Sequence, residues 1–221
     1  MQEQITIKSL YNLDETMAKA LLEKYIYPWE ALKEIKSFIL ELGETLPEAE
    51  YNRNGDIWIH KTAKVAPTAS INGPVIIGEN AEIRHCAYIR GSAIIGNDAV
   101  VGNSTELKNS ILFNKVQVPH YNYVGDSILG YKAHMGAGSI TSNIKSDRSP
   151  VVVCLDQERV NTELIKMGAM IGDLVEVGCN SVLNPGTVVG KESNIYPLSM
   201  VRGFVPANSI YKKQGEIALK V

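Results

Sequence analysis

Little in this chain of 221 residues points to a covalent framework, a structural metal or a charged macromolecular partner. It has three cysteines, Cys86, Cys154 and Cys179, an odd number with no C-x-x-C spacing, which argues against a disulfide framework or a structural zinc site. All three are read as reduced thiols. There is no basic excess either: a formal net charge of −2 argues against nucleic acid or an anionic membrane as the main partner. No apolar run reaches the length of a membrane span, and the opening stretch MQEQITIKSL has no cationic start followed by an apolar segment. A cytoplasmic location is the expectation. With 45% hydrophobic and 21% charged residues, the chain has ample material for a core in one or two domains.

What the chain has is a period. Apolar residues recur at every sixth position, at 59, 65, 71, 77, 83, 89, 95, 101, 107, 113 and 119, and again at 171, 177, 183, 189, 195 and 201. Six is even, so a chain extended through each unit turns the same face inward every time, which a helical period of 3.6 cannot do. Two places earlier stand small or β-branched residues, such as Ala63, Ala69, Val75, Ala81 and Ala87, suited to a crowded corner. Glycine follows the apolar residue at 78, 96, 102, 172, 178 and 190, and is expected to take positive φ at a tight bend. Short strands alternating with sharp turns make a mainly β solenoid, its coils stacked about 4.8 Å apart.

The first 48 residues follow another pattern. Asn12 and Glu15 form a capping box that predicts a helix through about Lys24, and a second helix is predicted from Pro28 to the stop at Gly43. The expected domains are a helical cap over 1–48, a β-helix over 49–205 with a hairpin inserted at about 145–168, and a C-terminal tail over 206–221. The cap is expected to hide the open end of the solenoid. In the insertion, Val151–Leu155 and Val160–Ile165 flank Asp156, Gln157 and Glu158 as a β-hairpin that lids the site or packs on a neighbouring subunit.

Between the arrays the register breaks, and the segment from Pro119 to Asp126 packs a histidine and two tyrosines where a plain coil would carry a hexad. Three strings stand in order here: Glu106 to Leu112, then His120-Tyr121-Asn122-Tyr123-Val124-Gly125-Asp126, then Met135-Gly136-Ala137-Gly138-Ser139-Ile140-Thr141-Ser142-Asn143. Together with the hexads, they resemble the left-handed parallel β-helix of the hexapeptide-repeat acyltransferases. They are most similar to the acetyltransferase half of the bifunctional N-acetylglucosamine-1-phosphate uridyltransferase/glucosamine-1-phosphate acetyltransferases. The resemblance covers roughly residues 57 to 205.

That resemblance implies acetyl transfer from acetyl-CoA to the amine of an amino-sugar phosphate, with no metal required and a homotrimer as the working form. By it, His120 is the general base that takes the proton of the sugar amine. Arg90, Lys108 and Lys166 match positions that contact the sugar phosphate, and Tyr123 matches one that hydrogen-bonds to it. Arg90 and Lys108 stand eighteen residues apart, so they are expected one coil apart on one edge. Asn143 matches a sugar-site position, while His134 stands where the family has an asparagine that touches the sugar, and Ile144 replaces a tyrosine. Ala137, Cys179 and Pro197 match positions lining the CoA channel. No Gly-rich nucleotide-binding signature opens the chain, which looks like a short form lacking the nucleotidyltransferase domain. The γ-type carbonic anhydrases share this fold, but His60, His85, His120 and His134 lack the H-x4-H pair that family needs. The competing reading is a trimer that binds a sugar phosphate or nucleotide sugar without turning it over.

Overall fold

The inward apolar residues stack on one another and build a prism. In the computed structural model, which describes residues 2–156, 158–213 and 216–219, the chain forms a parallel β-helix, the stacked coil the hexads imply. Three ladders run its length. On the first face Ile77, Ile95, Leu112, Leu129, Ile171, Val189 and Val205 stand in register. The second face stacks Val65, Ile83, Val101, Val118, Met135, Val177, Ile195 and Tyr211. The third stacks Ile71, Ile89, Leu107, Val124, Thr141, Leu183 and Val201. From Ile77 onward the aliphatic members of these ladders are at most 2% exposed, and Tyr211 closes the second ladder at 3%.

The structure corrects the expected register. The six-residue spacing does not continue unbroken to 119: the strand Glu106–Leu112 runs straight for seven residues, so the ladder passes from Leu107 to Leu112 and on to Val118. The expected inward positions at 113 and 119 shift by one, although Phe113 stays buried as a corner residue packed on Tyr11. The glycines after the apolar positions do not supply the bends, since none of the six has positive φ. Non-glycine residues three places after the inward apolar position do, among them Asn80, Cys86, Ser92 and Asp98 at φ between 53° and 58°. The glycines are there for room: a Cβ on Gly96 would meet the Phe113 carbonyl carbon of the next coil at 2.5 Å.

The N-terminal segment is neither two continuous helices nor an end cap. Asn12 caps only the turn Leu13–Glu15, after which Thr16 is extended, because Glu15 is drawn to the solenoid: its carbonyl accepts the Asn114 N–H at 2.9 Å. Helical turns at Ile7–Leu10 and Lys19–Leu22 follow the same contour, and Pro28–Lys33 is a tight 3-10 turn before the helix Ile35–Gly43. The segment lies lengthwise on the first face. The helix Ile35–Gly43 packs on Val75–Ile77, Ala93–Ile95 and Glu106–Leu112, Tyr11 donates to the Ile128 carbonyl at 3.3 Å, and Asp173 accepts the Asn12 N–H at 2.7 Å. The hairpin Val152–Leu155/Glu158–Asn161 covers the rest of this face, over Thr187–Val189 and Phe204–Val205, so it packs on its own solenoid; Gln157 of its turn lies outside the described residues.

The covering follows from outward side chains. By strand alternation Ile76, Ile94, Ile111, Ile128, Met170 and Val188 point away from the prism interior, yet all are 0% exposed. Past residue 205 the chain does not become a free tail: Ser209–Lys213 stacks on Asn194–Ile195 and pairs antiparallel with Glu216–Leu219. Among the described residues no helix is long and apolar enough to cross a membrane.

Candidate functional site

Among the described residues no element covers the third face, and functional candidates gather on its two edges. His120 ends the strand Gln117–His120, where the second face turns into the third. Tyr121, at φ 52°, makes the turn, and the buried Asn122 fixes it: its Oδ1 accepts the His120 N–H at 3.1 Å, and its Nδ2 donates to the carbonyls of Gly136 (2.8 Å) and Ser139 (3.1 Å). The backbone of His120 is held while its imidazole is exposed and makes no hydrogen bond to the described residues.

The same edge carries the three positions matched to the CoA channel. Gly138 N–H donates to the His120 carbonyl (3.0 Å), Asn180 N–H to that of Ala137 (2.8 Å) and Leu198 N–H to that of Cys179 (2.9 Å). His120, Ala137, Cys179 and Pro197 thus form one column, a coil apart at each step. Cys179 and Pro197 line an open depression of about 340 Å³ together with Gly136, Gly178 and, from the adjoining second face, His134 and Glu176.

On the opposite edge a polar cluster surrounds one buried carboxylate. Asp126, its side chain 5% exposed, accepts from Lys108 Nζ on both carboxylate oxygens at 2.9 Å. Asn109 Nδ2 adds a bond at 2.9 Å and Asn143 Nδ2 one at 2.5 Å. Asn143 Nδ2 also donates to the Tyr123 hydroxyl at 3.2 Å, which leaves the phenol's own proton free for a ligand. Burial first, then the nearby carboxylates of Asp126 and Glu106, raise the Tyr123 phenol above its ordinary value and keep it a neutral donor. Arg90 lies one coil from Lys108, as its spacing predicts, and its Nη1 donates to Glu106 at 2.7 Å. Lys166 reaches this edge because the inserted segment returns here: its backbone bridges Ile144, beside Asn143, and its side chain is exposed.

Nine of the ten predicted site residues therefore fall on the two edges of one face. His120 and Tyr123 are three residues apart, at most about 10 Å along the backbone. His134 is the exception. The register Gln117–His134–Glu176 puts it on the outside of the second face, where its Nδ1 meets Glu176 Oε2 at 2.7 Å. Sequence reading missed Asp126 and Glu106 as partners of the cations, and Asn109 as a partner of Asp126. The signal was present: Lys108 and Asp126 are eighteen residues apart, one coil.

Fold and site define a hexapeptide-repeat β-helix protein whose polar-edged third face no described element covers. The chain belongs to the family described as the GMPPB C-terminal domain, which matches residues 72–212. It is also similar to the bifunctional protein GlmU of Methanococcus aeolicus, 36% identical over 118 residues, which cover 53% of this chain and 28% of that protein. The bifunctional sugar-1-phosphate nucleotidylyltransferase/acetyltransferase of Sulfurisphaera tokodaii is 33% identical over 109 residues, 49% of this chain and 27% of its own length. The chain thus spans less than a third of the length of these two relatives. Among solved structures, the polySia-specific acetyltransferase NeuO aligns with 76% of this chain and 87% of its own at 15% identity and a TM-score of 0.46, a likeness too loose to speak to function.

Proposed function

We propose that the chain is an acetyl-CoA-dependent N-acetyltransferase acting on the amine of an amino-sugar phosphate of the glucosamine-1-phosphate type, in nucleotide-sugar metabolism. One observation carries the reading: a free imidazole on one edge of the uncovered face stands across from a cationic, hydrogen-bonding cluster on the other. In this reading Arg90, Lys108 and Lys166 hold the phosphate and Tyr123 donates to it, while Asn143, fixed by Asp126, orients Tyr123. His120 takes the proton of the sugar amine as the amine attacks the thioester carbonyl, and the CoA thiolate leaves. The donor lies along the column of Ala137, Cys179 and Pro197, whose small or compact side chains leave room beside the backbone. The relatives' names support the chemistry, and the working form is proposed to be a cytoplasmic homotrimer. His134 lies on the second face, where it lines the depression beside Cys179 and Pro197, and reaches the sugar only as that face of a neighbouring copy. Thiol release from acetyl-CoA, measured with a panel of amino-sugar phosphates, tests the proposal; no release with any of them sinks it.

A second reading has its own support. Arg90 and Lys108 already face carboxylates, Glu106 and Asp126, which offset part of the charge a phosphate dianion would need. A chain that binds a sugar phosphate or nucleotide sugar without turnover would show calorimetric binding and no thiol release.

A further inference from the structure

At an outer corner of the solenoid, away from the cationic cluster, three side chains converge in the order nucleophile, base and orienting group. Cys86 Sγ lies 3.2 Å from His85 Nε2, and His85 Nδ1 lies 2.7 Å from Thr68 Oγ1. The contact between sequence neighbours depends on the corner: Cys86 has φ 58°, which turns the chain so that residues 85 and 86 face each other. The backbone is held from both adjacent coils, by the Cys86 N–H donating to Thr68 Oγ1 at 3.3 Å and by Asn103 Nδ2 donating to the His85 carbonyl at 3.1 Å. The comparable corner at Asn80 has the same threonine support, from Thr62 at 2.9 Å, but no nucleophile. Each ring nitrogen of His85 thus faces one partner, Nε2 the nucleophilic sulfur and Nδ1 the threonine oxygen. All three side chains are exposed, beside an open depression lined by Lys64, Glu82 and Arg84.

We propose that Cys86 is an activated thiol and a modification site for small-molecule disulfides, with His85 as its base and Thr68 orienting the ring. The Cys86 thiolate attacks one sulfur of the disulfide, that S–S bond breaks as the new one forms, and the departing thiolate takes the proton held on His85 Nε2. The product is a mixed disulfide at Cys86 and one free small thiol. Nothing in this step uses the acetyl-transfer chemistry proposed above.

Cys179 is the internal control, since it is also exposed but has no histidine partner among the described residues. The full-length chain is mixed with an aromatic disulfide that releases a coloured thiolate, and the modified cysteine is located by peptide mass. Cys86 is expected to react about tenfold faster than Cys179 at neutral pH or better. His85→Ala should bring Cys86 down to the rate of Cys179. Thr68→Val should slow it, and Thr68→Ser, which keeps the hydroxyl, should restore it. The charged groups facing the corner are Lys64, Glu82 and Arg84, of which Arg84 is paired with Glu82 at 2.9 Å. Lys64→Gln should therefore leave the rate at Cys86 in place. Equal rates at Cys86 and Cys179, an unchanged rate in His85→Ala, or a rate lost in Lys64→Gln would each overturn the proposal.

Discussion

The first and third faces share one inner ladder chemistry and differ in what stands on the outside. Outward positions of the first face are Ile76, Ile94, Ile111, Ile128, Met170 and Val188, and the chain spends its N-terminal segment and its inserted hairpin covering them. Outward positions of the third face include Tyr88, Glu106, Tyr123 and Met200, and no described element covers them. A solenoid coil satisfies its backbone the same way on every side, so the outward residue alone decides whether a face recruits the rest of the chain or stays open to a ligand.

The largest expected effect follows from the covered face. Deleting residues 1–48 uncovers a continuous apolar strip, and the remaining chain should aggregate, checked by size-exclusion chromatography; a monodisperse, cooperatively melting product would show that the segment is an independent appendage. Next in size, Ile111→Ala should cost about 2–5 kcal/mol in urea unfolding, as a fully buried branched side chain is lost. Its counterpart on the open face, Glu106→Gln, should shift stability by only about 0.5 kcal/mol. If both cost the same, the contrast between faces fails. On the open face, Arg90→Ala and Lys108→Ala should each raise KM for the sugar phosphate about 10- to 100-fold with a smaller loss in kcat, read from initial rates. Unchanged KM in both would make them surface charges held by Glu106 and Asp126.

A smaller effect sharpens the first face through pH. Tyr11 is buried there, and burial, with Asp173 second, holds its phenol well above the ordinary value. A group whose folded value is raised adds stability that is complete below its unfolded value and is lost as pH climbs toward the folded one. Stability should therefore decline above about pH 10. Tyr11→Phe should flatten that alkaline slope and cost about 0.5–1.5 kcal/mol at neutral pH for the bond to Ile128, both read from urea curves at several pH values.

Inward positions were legible in the sequence because burial at a fixed spacing leaves a one-letter trace. The slip at Leu112 was not, since Leu112 and Phe113 are both apolar and only the straight path of Glu106–Leu112 chooses between them. Outward residues also carried a trace, an apolar neighbour before every third ladder residue, as in Ile76-Ile77 and Ile94-Ile95. Read at the length of a whole coil, that trace marks a covered side and turns the end cap into a lengthwise cover. Arg90 and Lys108 were placed correctly on one edge by arithmetic alone, whereas the carboxylate between Lys108, Asn109 and Asn143 needed side-chain geometry. Helix signals near Asn12 were locally sound, but the solenoid's Asn114 outcompeted the second turn for the Glu15 carbonyl.

The central claim is that the open face transfers an acetyl group using His120. It is tested most directly by thiol release from acetyl-CoA with the best amino-sugar phosphate, comparing the wild-type chain with His120→Ala and with His134→Ala as the matched control. The expected result is release by the wild type, a fall in kcat of about 10² to 10⁴ for His120→Ala with substrate binding retained, and a much smaller fall for His134→Ala. No release by the wild type, or near-normal release by His120→Ala, would contradict it.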